Sequence, residues 1–215
     1  MDVAIAGGHG KIGLALGRLL SERGDSVRGL IRSVEQADDL RAAGVEPVVC
    51  DLEQAGGEEV AVAVRGAEAV VFAAGAGPGS GAERKRTMDL DGAVKLIEAA
   101  RAEGVDRYLM VSAMGAASPP ASGGEVFGEY LRAKAGADRA LAASGLDFTI
   151  VRPGGLSDDP GTGRVAIADS LERGQIPRAD VAAVLAAVLR APNEVGKTFE
   201  LVSGETPIEE AVGRL

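Results

Sequence analysis

The sequence predicts a doubly wound α/β fold, a parallel sheet flanked by helices, on three observations. Short apolar runs alternate with helical stretches along the whole length, the order that builds strand–helix–strand units. The runs lack polar alternation, as in Val3, Ala4, Ile5, Ala6 and again in Ala69, Val70, Val71, Phe72. Strands read this way when both faces are covered. Glycine then closes helix after helix, at Gly24, Gly44 and Gly104.

The first strand is expected over residues 3–6, followed by a glycine loop and a helix over 11–23 with Leu14, Leu16, Leu19 and Leu20 on its apolar side. A second strand (26–31) leads to a helix over 34–43, and a third (47–50) to a short helix over 58–64. The fourth strand (69–72) enters Ala73, Ala74 and Gly75, and a long helix follows over 85–102. A fifth strand (108–111), a helix over 128–144, a sixth strand (148–151) and a seventh (198–202) complete the pattern. Two stretches rich in Pro, Gly and Ser, 116–124 and 154–163, are expected as mobile loops. Both lie beyond the carboxyl ends of strands, where ligands bind in open α/β sheets. No linker separates two domains, so residues 1–215 read as one domain with a minimal C-terminal substrate lobe.

Composition excludes several function classes. The core must be aliphatic, because only 3% of residues are aromatic while 46% are hydrophobic. A net charge of −9 argues against nucleic-acid partners, which require clustered Lys and Arg, and few aromatics are present to stack on bases. The single cysteine, Cys50, excludes an intramolecular disulfide and a cysteine-based metal cluster, so no metal site is expected. Nothing resembles a signal peptide or an apolar stretch of the roughly 20 residues that span a bilayer, which gives a cytoplasmic expectation with no membrane partner. The expected partner is a small-molecule substrate. Oligomeric state leaves no signal.

Gly7, Gly8, His9, Gly10, Lys11, Ile12 and Gly13 follow the first strand and open the first helix, with Gly7, Gly10 and Gly13 three apart. Such glycines permit a tight turn, admit a pyrophosphate to the backbone and pack the helix on the sheet, while the helix N-terminus offers free N–H groups. This is the context of a Rossmann-type dinucleotide site. A Walker-type loop fails, because Ile12 stands where Ser or Thr is required. His9 reads as a loop residue beside the phosphates, with no carboxylate partner evident. Lys11 either contacts the pyrophosphate or is a solvated first-turn lysine.

The end of the second strand selects the nicotinamide. NAD binders usually carry an acid there for the ribose 2′-hydroxyl. Here Arg32 and Ser33 occupy the place, and both can bind a 2′-phosphate, so NADP is favoured with NAD possible. Asp51 and Leu52 are placed to touch the adenine edge, although Asp51 equally suits capping of the next turn. Tyr130 and Lys134 lie four apart on one helix face, below a strand that ends at Ser112. An ammonium near the phenol would lower its pKa and let it exchange a proton with a carbonyl or alcohol. The alternative is that the pair only binds ribose.

With these residues assembled, the chain resembles the short-chain dehydrogenase/reductase superfamily. It is most similar to the atypical branch of small NAD(P)-binding proteins that includes NmrA-like regulators and flavin/biliverdin-type reductases. The likeness takes in the glycine loop, Arg32, Asp51 and Leu52, Ala73 to Gly75, Asp89, Leu90, Asp91 and Gly92, Ser112, the Tyr130/Lys134 pair, and Arg152, Pro153, Gly154, Gly155 and Leu156. It implies that Ala73, Ala74 and Gly75 line the adenine ribose, that Lys134 holds the nicotinamide ribose, and that Pro153 flanks the nicotinamide. Tyr130, Lys134 and Ser112 are the implied catalytic set. One departure is Ala113, which stands where many members place the catalytic hydroxyl. The implied activity is NADPH-dependent reduction of a small carbonyl, quinone or flavin-like acceptor, and the alternative is a sensor that binds NADP(H) without turnover.

Overall fold

A computed structural model of the protein describes residues 1–77, 79–121, 126–191 and 195–215. Residues 122–124 of the loop expected over 116–124 lie outside the described residues. Six strands, β1 (Asp2–Ala6), β2 (Ser26–Ile31), β3 (Glu46–Val49), β4 (Ala69–Phe72), β5 (Arg107–Val111) and β6 (Asp147–Pro153), run parallel in the spatial order β3-β2-β1-β4-β5-β6. The strand order reverses between β1 and β4, and their carboxyl ends open a crevice there. Each of the six strand expectations falls on its strand, with ends shifted by two residues at most.

Beyond β6 the seventh expected strand falls on β10, but the chain otherwise departs from expectation. It forms β7 (Gly155–Ser157), β8 (Arg164–Ala168), β9 (Gln175–Pro177), β10 (Lys197–Ser203) and β11 (Thr206–Pro207). β10 extends the sheet in parallel beside β6, whereas β8 and β11 add an antiparallel edge. The sheet is therefore mostly parallel rather than wholly so. The stretch 154–163, expected as a loop throughout, contains β7, which pairs with β9 in a small second sheet.

The helices form two layers. α1 (Lys11–Glu22), α2 (Ala37–Ala42), α7 (Arg178–Val188) and α8 (Ile208–Val212) cover one face, their core built from Leu16, Leu20, Leu40, Val181 and Leu185. α3 (Gly57–Val64), α5 (Ala93–Ala102) and α6 (Val126–Ala142) cover the other, around Val60, Leu96, Ile97 and Leu141. The buried stripe of α1 is Ile12, Leu16 and Leu20, spaced four apart; Leu19, expected inside, is 38% exposed. The helix expected over 34–43 divides into a 3₁₀ turn (Val34–Gln36) and α2. The helix expected over 85–102 starts earlier, as α4 (Ala82–Arg86), and is widened by a π-helical turn (Thr87–Gly92) before α5. Such turns insert a residue into the helical ladder and often mark functional sites. Among the described residues no helix is long and apolar enough to cross a membrane.

Candidate functional site

The crevice at the strand ends is a cleft of about 1240 Å³. Its floor is the glycine loop. Gly7 adopts φ +79°, the left-handed region that favours glycine. A methyl group at Gly13 would come 2.3 Å from the Gly7 carbonyl oxygen, so only glycine lets α1 start this close to β1. The N-cap of α1, Gly10, provides no side-chain cap, which leaves the first-turn N–H groups to a ligand. Gly7, His9, Gly10, Lys11 and Ile12 line the cleft; Gly8 and Gly13 serve it from behind, packed on Gly29 and on Gly7.

The loop's two charged side chains differ from expectation. His9 has a carboxylate partner after all, with Nε2 2.7 Å from Asp39 Oδ2, and Gln36 lies 3.2 Å from its Nδ1. Lys11 is neither free nor merely solvated, because its Nζ donates to Asp158 Oδ2 at 2.5 Å. Arg178, at the start of α7, donates to Asp158 Oδ1 at 2.6 Å. Lys11 foremost, and Arg178 with it, hold the Asp158 carboxyl below its usual range. Asp158 and Arg178 line the cleft, and sequence reasoning missed both, since Asp158 is 147 residues from Lys11.

At the β2 and β3 end, Arg32 lines the cleft, and its guanidinium makes no hydrogen bond or ion pair among the described residues. The nearby Arg84 is instead committed to Glu53 at 2.9 Å. Ser33 stands just outside the lining, its hydroxyl beside Glu35. Asp51 and Leu52 line the cleft, and Asp51 Oδ1 also accepts from the Glu53 N–H at 3.0 Å, so it does cap the following turn. Cys50 faces the same cleft, but burial pushes its thiol up to about 11, which removes it as a nucleophile at neutral pH. Ala73, Ala74 and Gly75 follow β4 along the wall.

Ser112, Tyr130 and Lys134 line the far end. Pro153 does not: it is buried as the last residue of β6, and Leu156 reaches the cleft in its place. Lys134 is 3% exposed, donates to the Val111 carbonyl at 3.0 Å and lies 3.2 Å from Asp89 Oδ1. Its Nζ is 5.9 Å from the Tyr130 ring centroid, and Lys85 Nζ is 5.3 Å from the same ring. The expected lowering of the Tyr130 phenol does not occur. Burial raises it, and Lys134 only partly offsets that while Asp89 and Asp138 add to it. Among the described residues, Ser112 Oγ and Asp138 Oδ1 are both buried without a well-aligned hydrogen bond. Asp138 accepts from Arg152 at 2.9 Å; burial raises its carboxyl, against the Ser112 hydroxyl and Arg152.

The profile of the NAD(P)H-binding family matches residues 7–192, from the glycine loop to beyond α7. The chain belongs to the NAD(P)H-binding family. It is 44% identical, with both chains covered in full, to the uncharacterized sugar epimerase YhfK of Bacillus subtilis. Among solved structures, a Bacillus halodurans protein provisionally named an NAD-dependent epimerase/dehydratase superposes with a TM-score of 0.93 at 38% identity, both chains covered in full. The anaerobillin reductase ChuY of Escherichia coli O157:H7 superposes with a TM-score of 0.80 at 27% identity, over 94% of this chain and 97% of that one. For an NAD(P)H-binding protein the residues fit the nucleotide: a side-chain-free cradle at Gly7, Gly10 and Gly13, an uncapped helix N-terminus, and a cleft-lining guanidinium that makes no hydrogen bond or ion pair among the described residues.

Proposed function

We propose that this NAD(P)H-binding protein is an NADPH-dependent oxidoreductase that reduces a small carbonyl, quinone or flavin-like acceptor. One observation carries the reading: Tyr130, Lys134 and Ser112 share a single cleft with the glycine loop and Arg32. A reduced pyridine nucleotide supplies a hydride when bound. The glycine loop and α1 N-terminus would hold its pyrophosphate, and Arg32 a 2′-phosphate through paired N–H groups. Lys134 would take a ribose hydroxyl, as the family resemblance implies. Tyr130 would give its phenolic proton to the acceptor oxygen as charge develops there, and the Lys134 ammonium would stabilise the phenolate left behind. The reductase among the solved relatives supports this direction of chemistry.

A second reading, a protein that senses NADP(H) without turnover, is favoured by Ser112. Its hydroxyl faces the Asp138 carboxylate, and a hydroxyl that donates there has no proton left to polarise a carbonyl. Ala113 supplies none. The names of the Bacillus relatives raise sugar epimerisation as a competitor, although β7 and β9 are a small lobe for a nucleotide sugar.

The test follows NADPH oxidation against carbonyls, quinones and flavins, with nucleotide sugars assayed for epimers. Tyr130→Phe should bind NADPH normally and reduce a carbonyl about 10²–10⁴-fold more slowly. Undiminished carbonyl turnover would sink the proton-donor mechanism and leave direct hydride transfer to a flavin-like ring. Tight NADPH binding without turnover on any acceptor would transfer the case to the sensor.

A further inference from the structure

The described residues hold a buried ion pair that neither the sequence pattern nor the reduction mechanism above assigns. Asp89 sits in the π-helical turn and is 0% exposed, and Lys134 opposite it on α6 is 3% exposed. Asp89 Oδ2 accepts from the Ala76 N–H at 3.2 Å, while Oδ1 has only Lys134 Nζ, 3.2 Å away and not aligned as a hydrogen bond. Gly75 makes room for this carboxylate, since a methyl group there would come 3.2 Å from Oδ1. A carboxylate is costly to bury unless its partner is charged, so this placement implies a role for its charge.

We propose that Asp89 is the counter-ion of Lys134 and, through it, the positioning residue that keeps Tyr130 a proton donor. The consequence for catalysis rests on the oxidoreductase reading; the electrostatics do not. A lone ammonium beside a phenol favours the phenolate, the form that takes a proton from an alcohol. An ammonium neutralised by a buried carboxylate favours the phenol, the form that gives one to a carbonyl oxygen. Among the described residues four charged groups face Tyr130: Lys134 and Asp138 from its own helix, Lys85 from α4, and Asp89 from the π turn. Lys85 is held by the Gly77 carbonyl at 2.7 Å, and Asp138 by Arg152. Asp89 is thus the anion set directly against Lys134. In the reductive step the acceptor carbon gains the hydride of a reduced pyridine nucleotide, its oxygen gains the Tyr130 proton, and the phenolate is reprotonated from solvent.

The chain has two tyrosines and no tryptophan, so tyrosinate absorbance reports Tyr130 cleanly in a Tyr108→Phe background. Without cofactor, the parent phenol should titrate above the ordinary value of about 10, and Asp89→Asn should bring it down by about one unit or more. Lys134→Met should move it the other way. The double variant Asp89→Asn/Lys134→Met should return it near the parent value, and it also covers failure of Asp89→Asn to fold. A folded Asp89→Asn with an unmoved phenol overturns the proposal. So does a double variant that titrates like Lys134→Met alone, or loss of the fold in both Asp89 variants, because a charge-balancing pair is removable as a pair. In an active enzyme, Asp89→Asn should also shift the alkaline limb of carbonyl reduction to lower pH. Titration shifts without turnover would keep the counter-ion and discard the oxidoreductase; turnover with an unmoved phenol would do the reverse.

Discussion

Gly13 shows how much a single atom decides at the nucleotide end. Adding a methyl group 2.3 Å from the Gly7 carbonyl forces α1 off the loop, so Gly13→Ala should weaken dinucleotide binding at least about tenfold, some 1.4 kcal/mol, in a calorimetric titration. Unchanged affinity would contradict the cradle. At Tyr108 the expectation is reversed. Its ring is fully buried with a hydroxyl that has no hydrogen-bond partner among the described residues, so Tyr108→Phe removes an unsatisfied group and should leave urea stability unchanged or raised. A clear loss would mean the hydroxyl has a partner. The glycine loop and Arg32 were legible in the sequence because their evidence is local spacing. The Lys11–Asp158–Arg178 bridge and the Asp89–Lys134 pair were not, because each joins residues from separate elements whose approach only the fold creates.

At the scale of elements, α1 tests the packing. Leu16→Ala opens a cavity in a fully buried stripe and should cost about 2–5 kcal/mol, whereas Leu19→Ala, at 38% exposure, should stay within about 0.5 kcal/mol. Similar losses at both positions in denaturant unfolding would refute the assigned face. α1 was found from its 3.6-residue rhythm, but the face was read one residue too wide. α7 escaped notice because residues Val181, Ala182, Val184, Leu185, Ala186, Ala187 and Val188 are all buried, which erases the polar face that periodicity needs. Its start shapes the cleft nonetheless, since Arg178 lines it. Asp180 accepts from the N–H groups of Thr162 and Gly163 and from the Thr162 hydroxyl, at 2.9, 2.9 and 3.0 Å, fixing the loop that delivers Asp158. The π turn had no signature, since a helix and a helix with one inserted residue share the same residue preferences.

For the whole molecule, the parallel order β3-β2-β1-β4-β5-β6 collects the strand-end segments into one crevice, which is why expectations scattered over the sequence converge there. The antiparallel edge of β8 and β11 was hidden by short strands among Gly and Pro. Net charge acts at this scale too: at −9 the surface repels phosphate backbones, and no submicromolar shift of any duplex is expected at physiological salt. The central claim is that this crevice takes a pyridine nucleotide and prefers the 2′-phosphorylated form. Calorimetric titration of NADPH and NADH into the parent protein and Arg32→Ala tests it most directly. NADPH should bind more tightly than NADH to the parent, and Arg32→Ala should lose affinity for NADPH alone. Equal affinities in the parent, or equal losses in the variant, would contradict it.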